Sequence, residues 1–145
     1  CKIASEYNLD TFLFWMVGLP GENKKIMLEN LNAMHSFIMK GYTKNIQALV
    51  FTPYPGSDIS ESPKEYGVTI HHERWEEYDE DGGYPVHSTR DLTREDIFLY
   101  YLWSQMVISE AVGYRQMCET MKIDFEPEPG SPELFEEFLN SRLMR

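Results

Sequence analysis

Thr11-Phe-Leu-Phe-Trp-Met-Val17, followed at once by Gly18-Leu-Pro-Gly-Glu22, is the stretch that decides the fold. The run is apolar on both faces and rich in β-forming residues, so it reads as a buried parallel strand rather than a half-exposed one. A helix follows it. Asn23 is a good N-cap, Met27, Leu31, Met34 and Ile38 recur at helical spacing, and Gly41 stands where a C-terminal glycine belongs. Asn45-Ile-Gln-Ala-Leu-Val-Phe-Thr52 then reads as a second buried strand, stopped by Pro53-Tyr-Pro-Gly56. Strand, helix and strand in this order make a βαβ unit, for which a right-handed crossover is expected. The fold class is therefore α/β.

Outside that unit the pattern changes. Cys1–Tyr7 reads as helix, and a chain that starts with Cys inside a helix is expected to be a piece of something longer. Ile59 to Tyr66 suggests a short helix closed by Gly67, and residues 68–91 read as loop around Glu76-Glu-Tyr-Asp-Glu-Asp-Gly-Gly83. Thr93 with Asp96 forms a capping-box pattern that opens a long helix to about Met121, apolar nearly all round. Glu126-Pro-Glu-Pro-Gly130 reads as a linker. Ser131-Pro132 opens a last amphipathic helix with Leu134, Phe135, Phe138, Leu139 and Leu143 on one side. The chain thus divides into 1–67, an acidic loop region 68–92, and a helical region 93–145.

Composition narrows the function classes. With 42% hydrophobic and 14% aromatic residues the chain can bury a core. Thirteen basic against 24 acidic residues give a formal charge of −11, which repels phosphate backbones, so no nucleic-acid partner is expected. The longest apolar stretch, Ile97 to Val112, is interrupted by Ser104, Gln105, Ser109 and Glu110, so no membrane span is expected. Two cysteines, Cys1 and Cys118, form neither a disulfide framework nor a thiolate metal site, and a cytoplasmic location is the expectation.

In parallel α/β folds, ligands sit where strands deliver their carboxyl ends. Both strands end in Gly/Pro punctuation: Gly18-Leu-Pro-Gly-Glu22 and Phe51-Thr-Pro-Tyr-Pro-Gly-Ser57. Glycines allow close approach of a ligand to the backbone, prolines fix the loops, and Glu22 can meet the helix dipole or a ligand hydroxyl or amine. Either loop alone is ordinary strand-to-helix chemistry. Strand–GLPGE–helix followed by strand–FTPYPGS, however, closely resembles the fifth and sixth βα units of the radical S-adenosylmethionine (SAM) partial barrel. The resemblance is strongest to members with an N-terminal cobalamin-binding domain, a group that includes the anaerobic Mg-protoporphyrin monomethyl ester cyclases. It covers Cys1 to about Ser57 and extends to Trp75-Glu-Glu-Tyr-Asp79 and Leu92-Thr-Arg-Glu-Asp96.

The resemblance implies that residues 1–67 are the last βα units of that barrel. It implies that Met16, Val17, Gly18 and Glu22 flank SAM on one side, with Phe51, Thr52 and Pro53 on the other. It also implies SAM and a [4Fe–4S] cluster as cofactors of the parent protein, with cobalamin as a further candidate, and a small-molecule substrate. Asn23 replaces the family's usual threonine and keeps the cap. The CxxxCxxC cluster motif is absent, and three thiolates are needed to leave one iron open for SAM. No cofactor is expected on these residues by themselves, and no catalytic residue can be named.

Other constellations are weaker. His71-His72-Glu73 lacks the second histidine of HExxH, since His72-Glu-Arg-Trp-Glu76 ends in Glu. Glu77, Asp79, Asp81 and Gly82 imitate a calcium loop but put Ser88 where the bidentate Glu belongs. No metal site is expected. Cys118 reads as a small buried hydrophobe, and Tyr100, Tyr101 and Trp103 as core. The leading expectation is thus the C-terminal portion of a radical SAM oxidoreductase or cyclase. The alternative is a non-catalytic α/β protein-interaction module. A phosphate-cradling nucleotide fold has neither GxGxxG nor GxxxxGK[ST] behind it. A two-stranded sheet leaves edges and an apolar face, so the chain is expected to self-associate, through a strand edge or the Leu13/Trp15 surface.

Overall fold

The structure, a computed structural model, describes residues 1–71, 74, 78 and 84–122. A short helix α1 (Lys2–Glu6) leads into strand β1 (Phe12–Val17), helix α2 (Lys24–Met39) and strand β2 (Asn45–Val50). A single-turn helix α3 (Asp58–Glu61) and two short strands, β3 (Val68–Ile70) and β4 (His87–Thr89), precede the long helix α4 (Arg94–Met121). The linker and last helix expected from residues 126–145 lie outside the described residues.

β1 and β2 pair in parallel, with Phe12 opposite Asn45 and Val17 opposite Val50, and α2 connects them as the βαβ reading requires. Both ends of α2 follow from its sequence. The Asn23 side chain accepts the amides of Lys25 and Ile26, each at 3.0 Å. At the other end Gly41, at φ +71°, lets its own amide reach Ile38 and the Tyr42 amide reach Phe37. That is a Schellman motif, and the Tyr42 and Phe37 rings meet at its hydrophobic contact. Arg115 of α4 reinforces the end by donating to the carbonyls of Ile38 and Thr43.

The core lies between the sheet and the helices. Val17, Ile46, Ala48 and Val50 pack against Met27, Leu31, Met34 and Ile38 of α2. Ile97, Tyr100, Val107, Ile108 and Ala111 of α4 complete it. The α4 capping box forms as the sequence predicts, with the Thr93 hydroxyl on the Asp96 amide and the Asp96 carboxylate on the Thr93 amide. Cys118 is buried.

Five expectations are corrected. β1 is not buried on both faces: Phe12, Phe14 and Met16 are 52%, 71% and 52% exposed, because both helices cover the same side of the sheet. Leu13 and Trp15 face that covered side and pack against the core, so the uncovered surface is the opposite one. Residues 68–91 are not all loop, since β3 and β4 form an antiparallel pair, Val68 opposite Thr89 and Ile70 opposite His87. The helix expected over Ile59–Tyr66 is only Asp58–Glu61, capped by Ser57 and ended ahead of Pro63. Finally, α4 buries one stripe, and Leu99, Leu102 and Met106 remain exposed among the described residues.

Candidate functional site

The strand ends lie side by side. The Phe51 amide donates to the Val17 carbonyl at 2.8 Å, carrying the parallel ladder one step past β2 and setting both Gly/Pro loops next to each other. Gly18 and Gly21 take positive φ, +83° and +90°, which turns the chain sharply from β1 toward α2. A Cβ on Gly18 would lie 2.6 Å from Ile97 Cγ2, so α4 packs directly on this turn.

Glu22 is 7% exposed and points back into its own loop. Oε2 accepts the amides of Gly18 at 2.7 Å and Leu19 at 2.9 Å, and Oε1 accepts the Asn30 side-chain amide at 2.9 Å. Burial pushes the carboxyl above the usual carboxylate range, and the hydrogen bonds from Leu19, Gly18 and Asn30 pull the other way. Of the two partners the sequence offered Glu22, helix dipole or ligand, the structure shows a third: the loop's own backbone.

The other sequence-derived positions divide by exposure. Val17, Gly18 and Pro53 are buried. Met16 is exposed beside Leu49 on the uncovered face, and Phe51 and Thr52 are half-buried. Met16, Phe51 and Thr52 are therefore the side chains of this set with surface to offer a ligand, whereas Val17 and Glu22 shape the backbone beneath them.

Two buried residues join the site that the sequence reading did not place there. His87 of β4 is fully buried, and its Nε2 lies 2.9 Å from the Gly18 carbonyl oxygen. Its ring meets Phe51 edge-on, 5.4 Å between centroids. Burial pulls its pKa below the usual histidine value. Tyr100 of α4 is fully buried, and its phenol lies in the same electrostatic neighbourhood as Glu22, Asn30 and Trp15. Burial first, then the Glu22 charge, pushes that phenol up, so it stays protonated. No motif marks His87 in the sequence. Its signal is only a lone histidine in Tyr84-Pro-Val-His-Ser-Thr89, a segment with little periodicity.

The thiols do not fit an iron–sulfur cluster. Cys1 is exposed at the start of the chain and Cys118 is buried on α4, too few for the three thiolates a cluster with an open iron needs. Among the described residues no three His, Cys, Asp or Glu side chains group to hold a metal ion. Of the histidine cluster, His71 pairs with the Ser88 hydroxyl at 2.8 Å, whereas His72 and Glu73 lie outside the described residues. Glu77, Asp79, Asp81 and Gly82 of the calcium-loop pattern lie outside them as well. No helix among the described residues is long and apolar enough to cross a membrane.

Comparison with known proteins is sparse. No family model matches the chain. An uncharacterized protein of Methanocaldococcus jannaschii is 39% identical over 56 residues, which is 39% of this chain and 11% of that protein. The matched stretch is thus a small part of that relative. No solved structure matches.

Proposed function

We propose that this chain forms the SAM-facing wall of a radical SAM oxidoreductase or cyclase, built from the last two βα units of its partial barrel. One observation supports the reading best. Two parallel strands bring GLPGE and FTPYPG together at their carboxyl ends, and among the described residues helices cover one face of the sheet and leave the other open. A barrel wall needs that arrangement, with helices outside and an apolar inner face at which the ligand meets the strand ends. Met16, Leu49 and Phe51 supply apolar surface on the inner side, and the half-buried Thr52 supplies a polar group. Val17, Glu22 and Pro53 support this wall from behind.

The cluster and its radical chemistry belong to other residues of the parent protein, as does any cobalamin. SAM, when bound, supplies the deoxyadenosyl group for hydrogen abstraction from a small-molecule substrate. The residues present here bind and orient it and carry out no chemical step. In this reading the parent is cytoplasmic.

The test is a SAM titration of ¹⁵N-labelled chain followed by NMR. Weak, millimolar-range shifts centred on Met16, Gly18, Phe51 and Thr52 are expected, since the cluster that anchors the amino-acid end of SAM is not part of this chain. A tight complex, or shifts confined to β3 and β4, would contradict the reading.

The second reading is a non-catalytic interaction module, favoured by the uncovered face of Phe12, Phe14 and Met16. The two readings differ in what that face meets: the interior of a barrel or another protein chain.

A further inference from the structure

His87 ties both strand ends to the β3–β4 hairpin. A carbonyl oxygen only accepts, so the 2.9 Å contact with Gly18 places the proton on Nε2 and leaves Nδ1 as a lone-pair acceptor. Glu22 holds the amide of that same glycine at 2.7 Å. Gly18 is therefore gripped on both sides, its N–H by Glu22 and its C=O by His87, while Ile97 occupies the space a Cβ would need. The edge-on contact with Phe51 fixes the second loop against the same imidazole. Nδ1 is buried, and no described residue meets it.

We propose that His87 is the positioning residue of the strand-end site, holding the Gly18 turn and Phe51 in register only as the neutral, Nε2-protonated imidazole. The inference takes its location from the proposed SAM wall, but it concerns the geometry of the loops, whatever ligand they serve.

The reason lies in Nδ1. Protonation there places a charged N–H in a buried position with no acceptor among the described residues, one of the costliest arrangements in a protein interior. The groups facing the ring offer no relief. His71 at the end of β3 and Arg94 at the start of α4 both oppose a further positive charge, and Phe51 past β2 presents only a ring. The Gly18 carbonyl beyond β1 favours the proton, but it is already engaged by Nε2. Glu22 acts on the ring only through Gly18. Relief comes when the imidazole withdraws toward water with the hairpin, releasing the Gly18 carbonyl and one face of Phe51.

The experiment is a pH titration of the ¹⁵N-labelled chain from about pH 8 to about pH 5, reading the histidine ring nitrogens and backbone amides together. The expected result is an Nε2–H tautomer for His87, with Gly18, Phe51 and the β3–β4 amides shifting in step with its protonation. His87→Gln keeps a donor for the Gly18 carbonyl and removes that titration, while His87→Phe displaces the Gly18 amide at every pH. An Nδ1–H tautomer overturns the inference. So do Gly18 and Phe51 amides that stay fixed while His87 titrates, or a folded His87→Phe chain with an unmoved Gly18 amide. Should His87→Phe fail to fold, the comparison of wild type with His87→Gln decides alone. Failure of the SAM reading shows differently: SAM then leaves Met16 and Phe51 unmoved, and the pH titration is unaffected.

Discussion

The Glu22 carboxylate accepts the Gly18 amide at 2.7 Å, so the acidic residue that ends the GLPGE turn also fastens its first residue. The same oxygen takes the Leu19 amide, and the other oxygen takes Asn30 from within α2. Strand end, turn and helix are thus locked by one buried side chain. Glu22→Gln can keep its oxygen on the Gly18 and Leu19 amides only by turning its NH₂ to Asn30, which must rotate its own amide to receive it, and the charge those donors meet is lost. A loss of about 2 kcal/mol is expected, read from urea unfolding. A neutral effect would mean that the turn does not depend on this carboxylate.

The same pair gives a pH dependence of defined sign. Burial raises the Glu22 pKa above its ordinary value of 4.5, so the folded chain holds that proton more tightly than the unfolded chain does. The contribution is therefore complete below the unfolded value and declines as pH rises through the folded one. Glu22→Gln does not titrate. The stability gap between wild type and Glu22→Gln should narrow as pH rises above 4.5. Thermal melts of both proteins across that range check it, and a gap that widens contradicts the burial argument.

Gly18 and Gly21 separate backbone strain from packing. Both have positive φ, but a Cβ on Gly18 meets Ile97 whereas one on Gly21 meets open space. Gly21→Ala is expected to cost about 1 kcal/mol from conformation alone. Gly18→Ala adds overpacking against α4 and should lose at least about 2 kcal/mol. Equal losses for the two would argue that α4 does not press on the turn.

The sheet edges differ, and the difference directs self-association. On the outer side of β2, the Ile46 amide is met by Asn45 Oδ1 at 2.8 Å and the Ala48 carbonyl by Gln105 at 3.0 Å. The ladder turns the backbone groups of Phe12, Phe14 and Met16 away from β2, and no described side chain meets them. Their side chains are the exposed ones too. The isolated chain should therefore associate through β1, and Phe14→Lys should return it to a monomer without loss of fold. Light scattering at high concentration measures this. A wild-type monomer, or association untouched by Phe14→Lys, would contradict it.

Much of the fold was legible because it is written in local pattern. The apolar period of Met27, Leu31, Met34 and Ile38, the Asn23 cap, Gly41 and the Thr93–Asp96 box each express a short-range rule, and each forms. What the sequence could not show was coverage. A strand apolar on both faces looks the same whether one helical layer or two cover it, so the exposure of Phe14 was not readable from residues 11–17. Nor was the hairpin, because strands as short as Val68–Ile70 and His87–Thr89 carry too little periodicity. The site shows the same division. Gly18 and Glu22 stand in a local motif, but His87 reaches Gly18 across 69 positions of chain, and nothing near it in sequence announces that contact.

The central claim, that these loops face SAM in a radical SAM enzyme, is tested most directly by reading the coding sequence immediately upstream of the Cys1 codon. The account predicts a CxxxCxxC motif there, on the barrel strands that precede β1, to supply the three thiolates this chain lacks. An upstream region that encodes no three cysteines at that spacing would contradict it and leave the interaction-module reading in its place.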